Sequence, residues 1–207
     1  MRDQSPILIF GAVEGIVDEA VVRRLIEHVG GKPGDIYGGR GKQHILRRIN
    51  GYNQAAQYHP WVVLVDLDQD AICAPAFRRR YLPNPASFMC FRIAVRAVEA
   101  WLMADREAFS DFFKVALSRI PENPELELDP RRKVIDLIRY SRRSVIREDM
   151  IPRPGSRRSV GPAYSSRLIE YIEFHWRPNK AARVSDSLAR CIDCLRCLLE
   201  CFTALIT

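Results

Sequence analysis

Acidic residues follow apolar segments directly at two places in the first third of the chain. Asp66 and Asp68 come after the apolar residues 61–65, and Glu14 follows the apolar segment that ends at Val13. Two carboxylates one residue apart at the end of a strand project to the same side of an extended backbone, so both can reach one hard cation. The pattern predicts a divalent-cation site, although an Asp-x-Asp motif can also simply cap the following helix.

The elements that position these carboxylates can be predicted from the apolar pattern. The uninterrupted apolar run at 62–65 is typical of a strand buried on both faces of a parallel sheet. Further strands are expected at 7–13, 35–37 and 87–95, with helical segments between them. The carboxyl ends of such strands are where open α/β sheets place their ligands. The sequence therefore predicts an α/β fold with a mainly parallel, Rossmann-like sheet flanked by helices.

Two further acidic residues are candidates for the same site. Asp18 lies in the first turn of the helix after Glu14, where it is either a second ligand or an acid that offsets the helix dipole. Glu99 falls among apolar residues on one face of a predicted helix, where an ionised carboxylate is costly unless it is paired or binds a metal. Arg92 and Arg96 are the candidate partners for an ordinary ion pair.

A glycine-rich segment, GGRGK at 38–42, precedes the second predicted helix. Backbone N–H groups with the charges of Arg40 and Lys42 could hold a phosphate there, and a flexible turn with solvated charges is the alternative. The segment is not a nucleotide-hydrolysing P-loop, because Ile36 stands where the first glycine of that motif belongs and no Ser or Thr follows Lys42.

Length and charge divide the chain into two parts. Its 207 residues suit a single domain or a core with an appendage, and we expect an α/β core at 1–106 and a mainly helical, basic region at 107–207 packed on it. Residues 131–158 hold ten Arg or Lys against three acids, an excess equal to the net charge of +7 for the whole chain.

Arginines in this basic region are candidate phosphate contacts, and a solvated helix face with an exposed loop is the alternative. The candidates are Arg142, Arg143, Arg157 and Arg158. We expect this segment to face the acidic site, because a site that binds nucleic acid must offset the repulsion between its own carboxylates and the phosphates.

The last helix carries four cysteines whose spacing matches a ferredoxin-type motif on paper: Cys191, Cys194, Cys197 and Cys201. Apolar residues in this segment follow a continuous helical period, whereas ligands of a cluster need a looped backbone. We therefore expect these cysteines to pack as small apolar residues and to bind no metal. The first ten residues fit neither a signal peptide nor a membrane span, so we expect a cytoplasmic protein without membrane attachment.

Five motifs together carry a resemblance to a known family: VEGIVDE, VLVDLDQD, VEAWLMAD, VGPAY and SDSLAR. The order strand, Glu-Gly, helix and then an apolar strand ending in Asp-x-Asp resembles the Toprim domain of topoisomerases, primases and OLD-type nucleases over the first half. Over nearly the whole chain, the motifs resemble a prokaryotic family of standalone Toprim-related proteins of unknown function.

The resemblance implies a magnesium or manganese site and a reaction. In Toprim enzymes the matching glutamate is a metal ligand or a general acid/base and the matching Asp-x-Asp binds magnesium, which here implicates Glu14, Asp66 and Asp68. Asp18 and Glu99 would then be second-metal or family-specific positions. The implied function is metal-dependent phosphodiester cleavage on nucleic acid. The alternative is a non-catalytic sensing or interaction subunit, for instance in phage defence, with a protein partner or a second copy of the chain.

Overall fold

The computed structural model describes residues 6–70 and 73–206, except for the side chain of Ile206. Four strands form one sheet in the order β2-β1-β3-β4, and every neighbouring pair is parallel. The strands are β1 (Leu8–Ala12), β2 (Lys32–Tyr37), β3 (Trp61–Asp66) and β4 (Met89–Ala94). All six residues of β3 are buried, as its apolar run predicts, and the α/β class is confirmed.

Helices connect successive strands, as parallel pairing requires. They are α1 (Ile16–His28), α2 (Lys42–Ala55) and α3 (Ala74–Tyr81), and α4 (Val98–Ala104) follows β4. Side chains of β3 alternate between two apolar clusters, which identifies the two faces of the sheet. Helices α2 and α3 cover one face, while α1 and α4 lie on the other.

The second half of the chain is helical, as expected. It comprises α5 (Arg106–Phe113), two short 3-10 turns (Leu117–Arg119 and Pro124–Leu126), α6 (Pro130–Ile138), α7 (Ser144–Met150), α8 (Tyr164–Phe174), α9 (Pro178–Ala181) and α10 (Asp186–Ile206). Its apolar residues join the cluster on the α1 side of the sheet, so one continuous core spans both halves of the chain. In the described part of the chain, no helix is long and apolar enough to cross a membrane.

Two elements are longer than the sequence predicts. Strand β2 begins at Lys32, before Pro33, because it is an edge strand and one side of an edge needs no N–H donor. Helix α2 continues past Gly51 to Ala55. Its last turn places the Tyr52 ring against the Trp61 ring with centroids 5.3 Å apart, so tertiary packing outweighs the low helix propensity of glycine.

Candidate functional site

Glu14 and Asp66 lie side by side where β1 and β3 end. One carboxylate oxygen of Glu14 accepts a hydrogen bond of 2.8 Å from the backbone N–H of Asp66. Asp66 Oδ1 in turn accepts one of 3.1 Å from the N–H of Val98, the first residue of α4. Only 4% of Asp66 is exposed. The backbone therefore fixes both carboxyl groups at the carboxyl edge of the sheet.

Asp18 and Glu99 join this pair from the helices that follow. Both are buried. Burial, with the nearby charges of Glu99 and Glu14, raises the pKa of Asp18 to about 7. Burial and then the charges of Asp18, Glu99 and Glu14 raise the pKa of Asp66 well above its ordinary value. The structure thus brings Asp18 and Glu99 to Glu14 and Asp66, and the charge of Asp68 also acts on Glu14 and Asp66.

The buried carboxyl groups are incompletely satisfied. Asp18 Oδ1 and Glu99 Oε2 are inaccessible to solvent, and no hydrogen-bond donor contacts either of them in the described part of the chain. Burial also raises the pKa of Glu14, although the Asp66 N–H and the charge of Lys42 partly oppose this effect. Unmet acceptors and raised pKa values are what an excess of buried negative charge produces.

Glu99 has partners that the sequence analysis did not identify. Its Oε1 accepts hydrogen bonds from Arg131 Nε in α6, at 3.0 Å, and from the Tyr164 hydroxyl at the start of α8, at 3.1 Å. The prediction of Arg92 or Arg96 as its partner is wrong. Arg96 precedes α4, and its guanidinium donates to the backbone carbonyl of Asp68 instead, at 2.8 Å.

Tyr164 reaches Glu99 because the chain before α8 packs tightly against the end of α7. The N–H of Gly161 donates to the Met150 carbonyl at 2.9 Å, and a Cβ at Gly161 would collide with the backbone of residues 149–151. Burial and the charge of Glu99 raise the pKa of Tyr164, so its hydroxyl stays a hydrogen-bond donor. Tyr164 belongs to the VGPAY motif, from which no contact with Glu99 was predicted.

The backbone at Asp68 is not extended, contrary to the prediction. Strand β3 ends at Asp66, and Asp68 adopts a positive φ of 48°. Its carboxylate is 55% exposed and is bonded to the ammonium group of Lys42, which also donates to Asp70 at 2.7 Å. Burial lowers the pKa of Lys42, but these two hydrogen bonds outweigh that effect and raise it.

Lys42 therefore supplies a positive charge to carboxylates of the site, where the sequence analysis assigned it to phosphate. Among residues 6–70 and 73–206, no group of three or more His, Cys, Asp or Glu side chains is already arranged around a single point as metal ligands would be. A cation binding here would have to draw the carboxylates together.

The glycine-rich segment forms hydrogen bonds to the backbone of Glu14. The N–H groups of Gly39 and Gly41 donate to the Glu14 carbonyl at 3.2 and 3.3 Å. These two amides are thereby occupied, while residues 38–41, including Arg40, are exposed. The loop helps to fix Glu14 in place.

A cavity of about 680 Å³ opens beside Asp68 and Asp70. Its basic lining residues are Arg96, Arg131, Arg132 and Arg158. Of the four arginines predicted to face the site, Arg158 alone is among the described residues that line this cavity. The backbone N–H of Arg142 bonds to the carbonyl of Lys114, at the end of α5.

The described lining of the cavity therefore holds four arginines with the carboxylates of Asp68, Asp70 and Asp129. Comparison with known proteins adds no assignment, since no family model, no curated protein and no solved structure matches this chain.

Proposed function

We propose that this protein is a Toprim-like, Mg²⁺- or Mn²⁺-dependent enzyme that cleaves phosphodiester bonds in nucleic acid. The observation that carries the proposal is the cluster of carboxyl groups at the carboxyl edge of the sheet, whose charge Arg131 and Lys42 compensate only in part. Glu14, Asp18, Asp66 and Glu99 share that edge, and two of their buried oxygens have no donor among the described residues. Hard divalent cations take oxygen ligands of this kind.

The donor set fits a divalent cation in charge and in chemistry. Glu14 and Asp66 would hold the ion, with the free oxygen of Asp18 as a further ligand and Asp68 available once it separates from Lys42. When bound, such an ion supplies stabilisation for the negative charge that develops on phosphoryl oxygens.

The other steps use side chains of the chain itself. Arg132 and Arg158 in the adjoining cavity bind the phosphates of the substrate and orient the scissile bond. Glu14, whose pKa is raised, accepts the proton of the attacking water as the new O–P bond forms. The P–O bond to the leaving group breaks, and the leaving oxygen takes a proton from solvent. Nucleic acid is the substrate class that best matches a carboxylate cluster bordered by arginines.

Cation binding is the first test, measured by the thermal shift that Mg²⁺ or Mn²⁺ produces in metal-free protein. An ion at 100 times its Kd stabilises the fold by about 2.7 kcal/mol. The Asp66→Asn variant keeps the side-chain shape but removes a ligand charge, so it should lose most of the shift. Asp111→Asn, at a side chain that is 90% exposed on α5, is the matched control and should keep it.

Cleavage is the second test, with labelled single- and double-stranded DNA and RNA incubated with and without Mn²⁺. We expect metal-dependent cleavage by the wild type and none by Glu14→Gln. Cleavage by both Glu14→Gln and Asp66→Asn would mean that another site catalyses the reaction. If neither ion shifts the melting temperature of the wild type, the proposed metal dependence is wrong.

One observation favours the alternative, a non-catalytic sensing or interaction subunit. Lys42 already places a cation against Asp68 and Asp70, as a structural ion pair would. Under that alternative the wild type should bind no divalent ion, while Lys42→Gln should bind one.

We also propose a cytoplasmic location, because all six cysteines are unpaired and reducing compartments keep thiols free.

A further inference from the structure

A second cavity, of about 480 Å³, lies behind β4 and is strongly basic. It is bounded by β4, by α3 and by the beginning of α10. Four arginines line it: Arg78, Arg92, Arg96 and Arg190. Arg92 and Arg96 were expected to pair with Glu99 but do not, and the proposed cleavage reaction uses none of the four.

Two of these guanidinium groups lack a counter-ion. The Nε atoms of Arg78 and Arg92 are inaccessible to solvent and have no hydrogen-bond acceptor among the described residues. No carboxylate in the described part of the chain lies within ion-pair distance of either side chain. Both side chains are only partly buried, but an N–H that is out of reach of water and has no acceptor costs free energy unless a group from outside accepts its hydrogen bond.

The two carboxylates that line the cavity are already engaged elsewhere. Glu125 Oε1 accepts hydrogen bonds from Ser185 and from both the N–H and the hydroxyl of Ser187, at 2.5 to 3.1 Å. Asp186 pairs with Arg190 at 2.7 Å. The positive charge of Arg78 and Arg92 therefore remains available to a ligand.

The charges of Arg78 and Arg92 also act on a neighbouring thiol. Cys194 of α10 has its pKa lowered to about 7 by a hydrogen bond with Cys90, by the charges of Arg92 and Arg78 and by a hydrogen bond with Arg92, although burial opposes the change. A thiolate beside these arginines is stabilised in the way that any other anion would be.

We propose that this cavity binds the phosphate monoester of a small molecule of mononucleotide size. Arg78 and Arg92 would bind the phosphate through planar, bidentate hydrogen bonds. The rest of the ligand would contact the apolar wall formed by Leu67, Pro75 and Val95. A volume of about 480 Å³ lies within the range of small-molecule pockets, about 300 to 1,000 Å³.

Isothermal titration calorimetry with adenosine 5′-monophosphate, inorganic phosphate and adenosine tests the proposal. The whole 207-residue chain is used in buffer with a chelator, so that no divalent cation occupies the acidic site. We expect the monophosphate and inorganic phosphate to bind one site and adenosine to bind at least tenfold more weakly. Arg78→Gln and Arg92→Gln should each weaken binding of the monophosphate about tenfold or more, since each removes a charged hydrogen-bond donor.

Arg79→Gln is the matched control, because Arg79 lies on the same helix, is exposed and does not line the cavity among the described residues. It should bind the monophosphate as the wild type does. Thermal melts check that the variants fold. The two arginines are replaced in separate variants, so that if one variant is unstable the other still tests the proposal.

Three results would overturn the proposal: no binding of the monophosphate by the wild type at millimolar concentration, equal binding of adenosine, or unchanged binding in both Arg78→Gln and Arg92→Gln. Binding confined to a 5′-phosphorylated oligonucleotide would also overturn it, in favour of a nucleic-acid end. Asp66→Asn should bind the monophosphate normally, so failure of the metal-dependent function and failure of this site remain distinguishable.

Discussion

Replacing Asp18 by Asn should stabilise the metal-free protein at alkaline pH. Asp18 is 7% exposed, and its pKa is about 7 in the folded protein against an ordinary value of 3.8. A raised pKa means that the folded state holds its proton more tightly than the unfolded state. Stability should therefore fall as pH rises from about 4 to about 7 and stay low above that.

The magnitude follows from 1.36 kcal/mol per pH unit, which gives about 4 kcal/mol for ionised Asp18. Asn cannot ionise but must still desolvate its amide, so we expect a gain of about 2 to 4 kcal/mol at pH 8 and little change at pH 4. Urea denaturation followed by circular dichroism, at pH 4, 6 and 8 with a chelator present, measures the free energy of unfolding.

Asp111→Asn is the control, because its 90% exposed carboxylate should not alter the pH profile. The reasoning fails if Asp18→Asn is no more stable than the wild type at pH 8. It also fails if the variant keeps the full wild-type decline in stability between pH 4 and pH 7. Either result would mean that Asp18 is ionised at little cost in the folded protein.

Two further predictions concern the basic region and the cysteines. Neutralising Arg132 and Arg158 should weaken nucleic-acid binding and reduce the slope of log affinity against log salt by about 0.7 to 0.9 per lost contact. The double variant Arg142→Gln with Arg143→Gln should change the affinity and the slope less. Fluorescence anisotropy at several salt concentrations measures both quantities for each pair. Equal effects of the two pairs would contradict this placement. Cys197→Ala, at an exposed position, should change the free energy of unfolding by less than about 0.5 kcal/mol. Stoichiometric iron or zinc in elemental analysis of the wild type would contradict our prediction that the cysteines of α10 bind no metal.

The strands and the positions of Glu14 and Asp66 could be predicted from the sequence because both depend on local patterns. An apolar run such as 62–65 fits only a buried element, and an acid directly behind it must emerge at the end of that element. The burial of Glu99 also followed from its helical spacing. Each of these inferences spans only a few residues.

Partners that are distant in sequence could not be predicted in this way. Arg131 and Tyr164 reach Glu99 from 32 and 65 residues away, and only the packing of α6 and α8 on the core brings them there. The basic cavity behind β4 combines α3, β4 and α10, so no local motif marks it. Charge composition indicated an arginine-rich surface but not which arginines remain unpaired.

The two aspartates of the Asp-x-Asp motif show how a local rule fails at the end of a strand. The rule that residues i and i+2 face the same side requires extended backbone, but Leu67 lies beyond β3 and Asp68 has a left-handed φ. The Asp68 N–H donates to the Arg96 carbonyl at 2.8 Å, and the Arg96 guanidinium donates back to the Asp68 carbonyl. Such backbone conformations persist when surrounding contacts hold them.

Under the proposed function, this geometry determines which carboxylates would hold a cation and which group competes with it. Hydrogen bonds to backbone N–H groups anchor Glu14 and Asp66, so under the proposed function these two would be the fixed ligands. Asp68 is held by Lys42 on one side and through its backbone by Arg96 on the other, so it can join only by exchanging the lysine for the ion. Because Lys42 has a raised pKa, it stays charged at neutral pH and competes throughout that range. If the proposed cation binds, its affinity should therefore be limited by the loss of the Lys42–Asp68 ion pair as well as by the number of carboxylates.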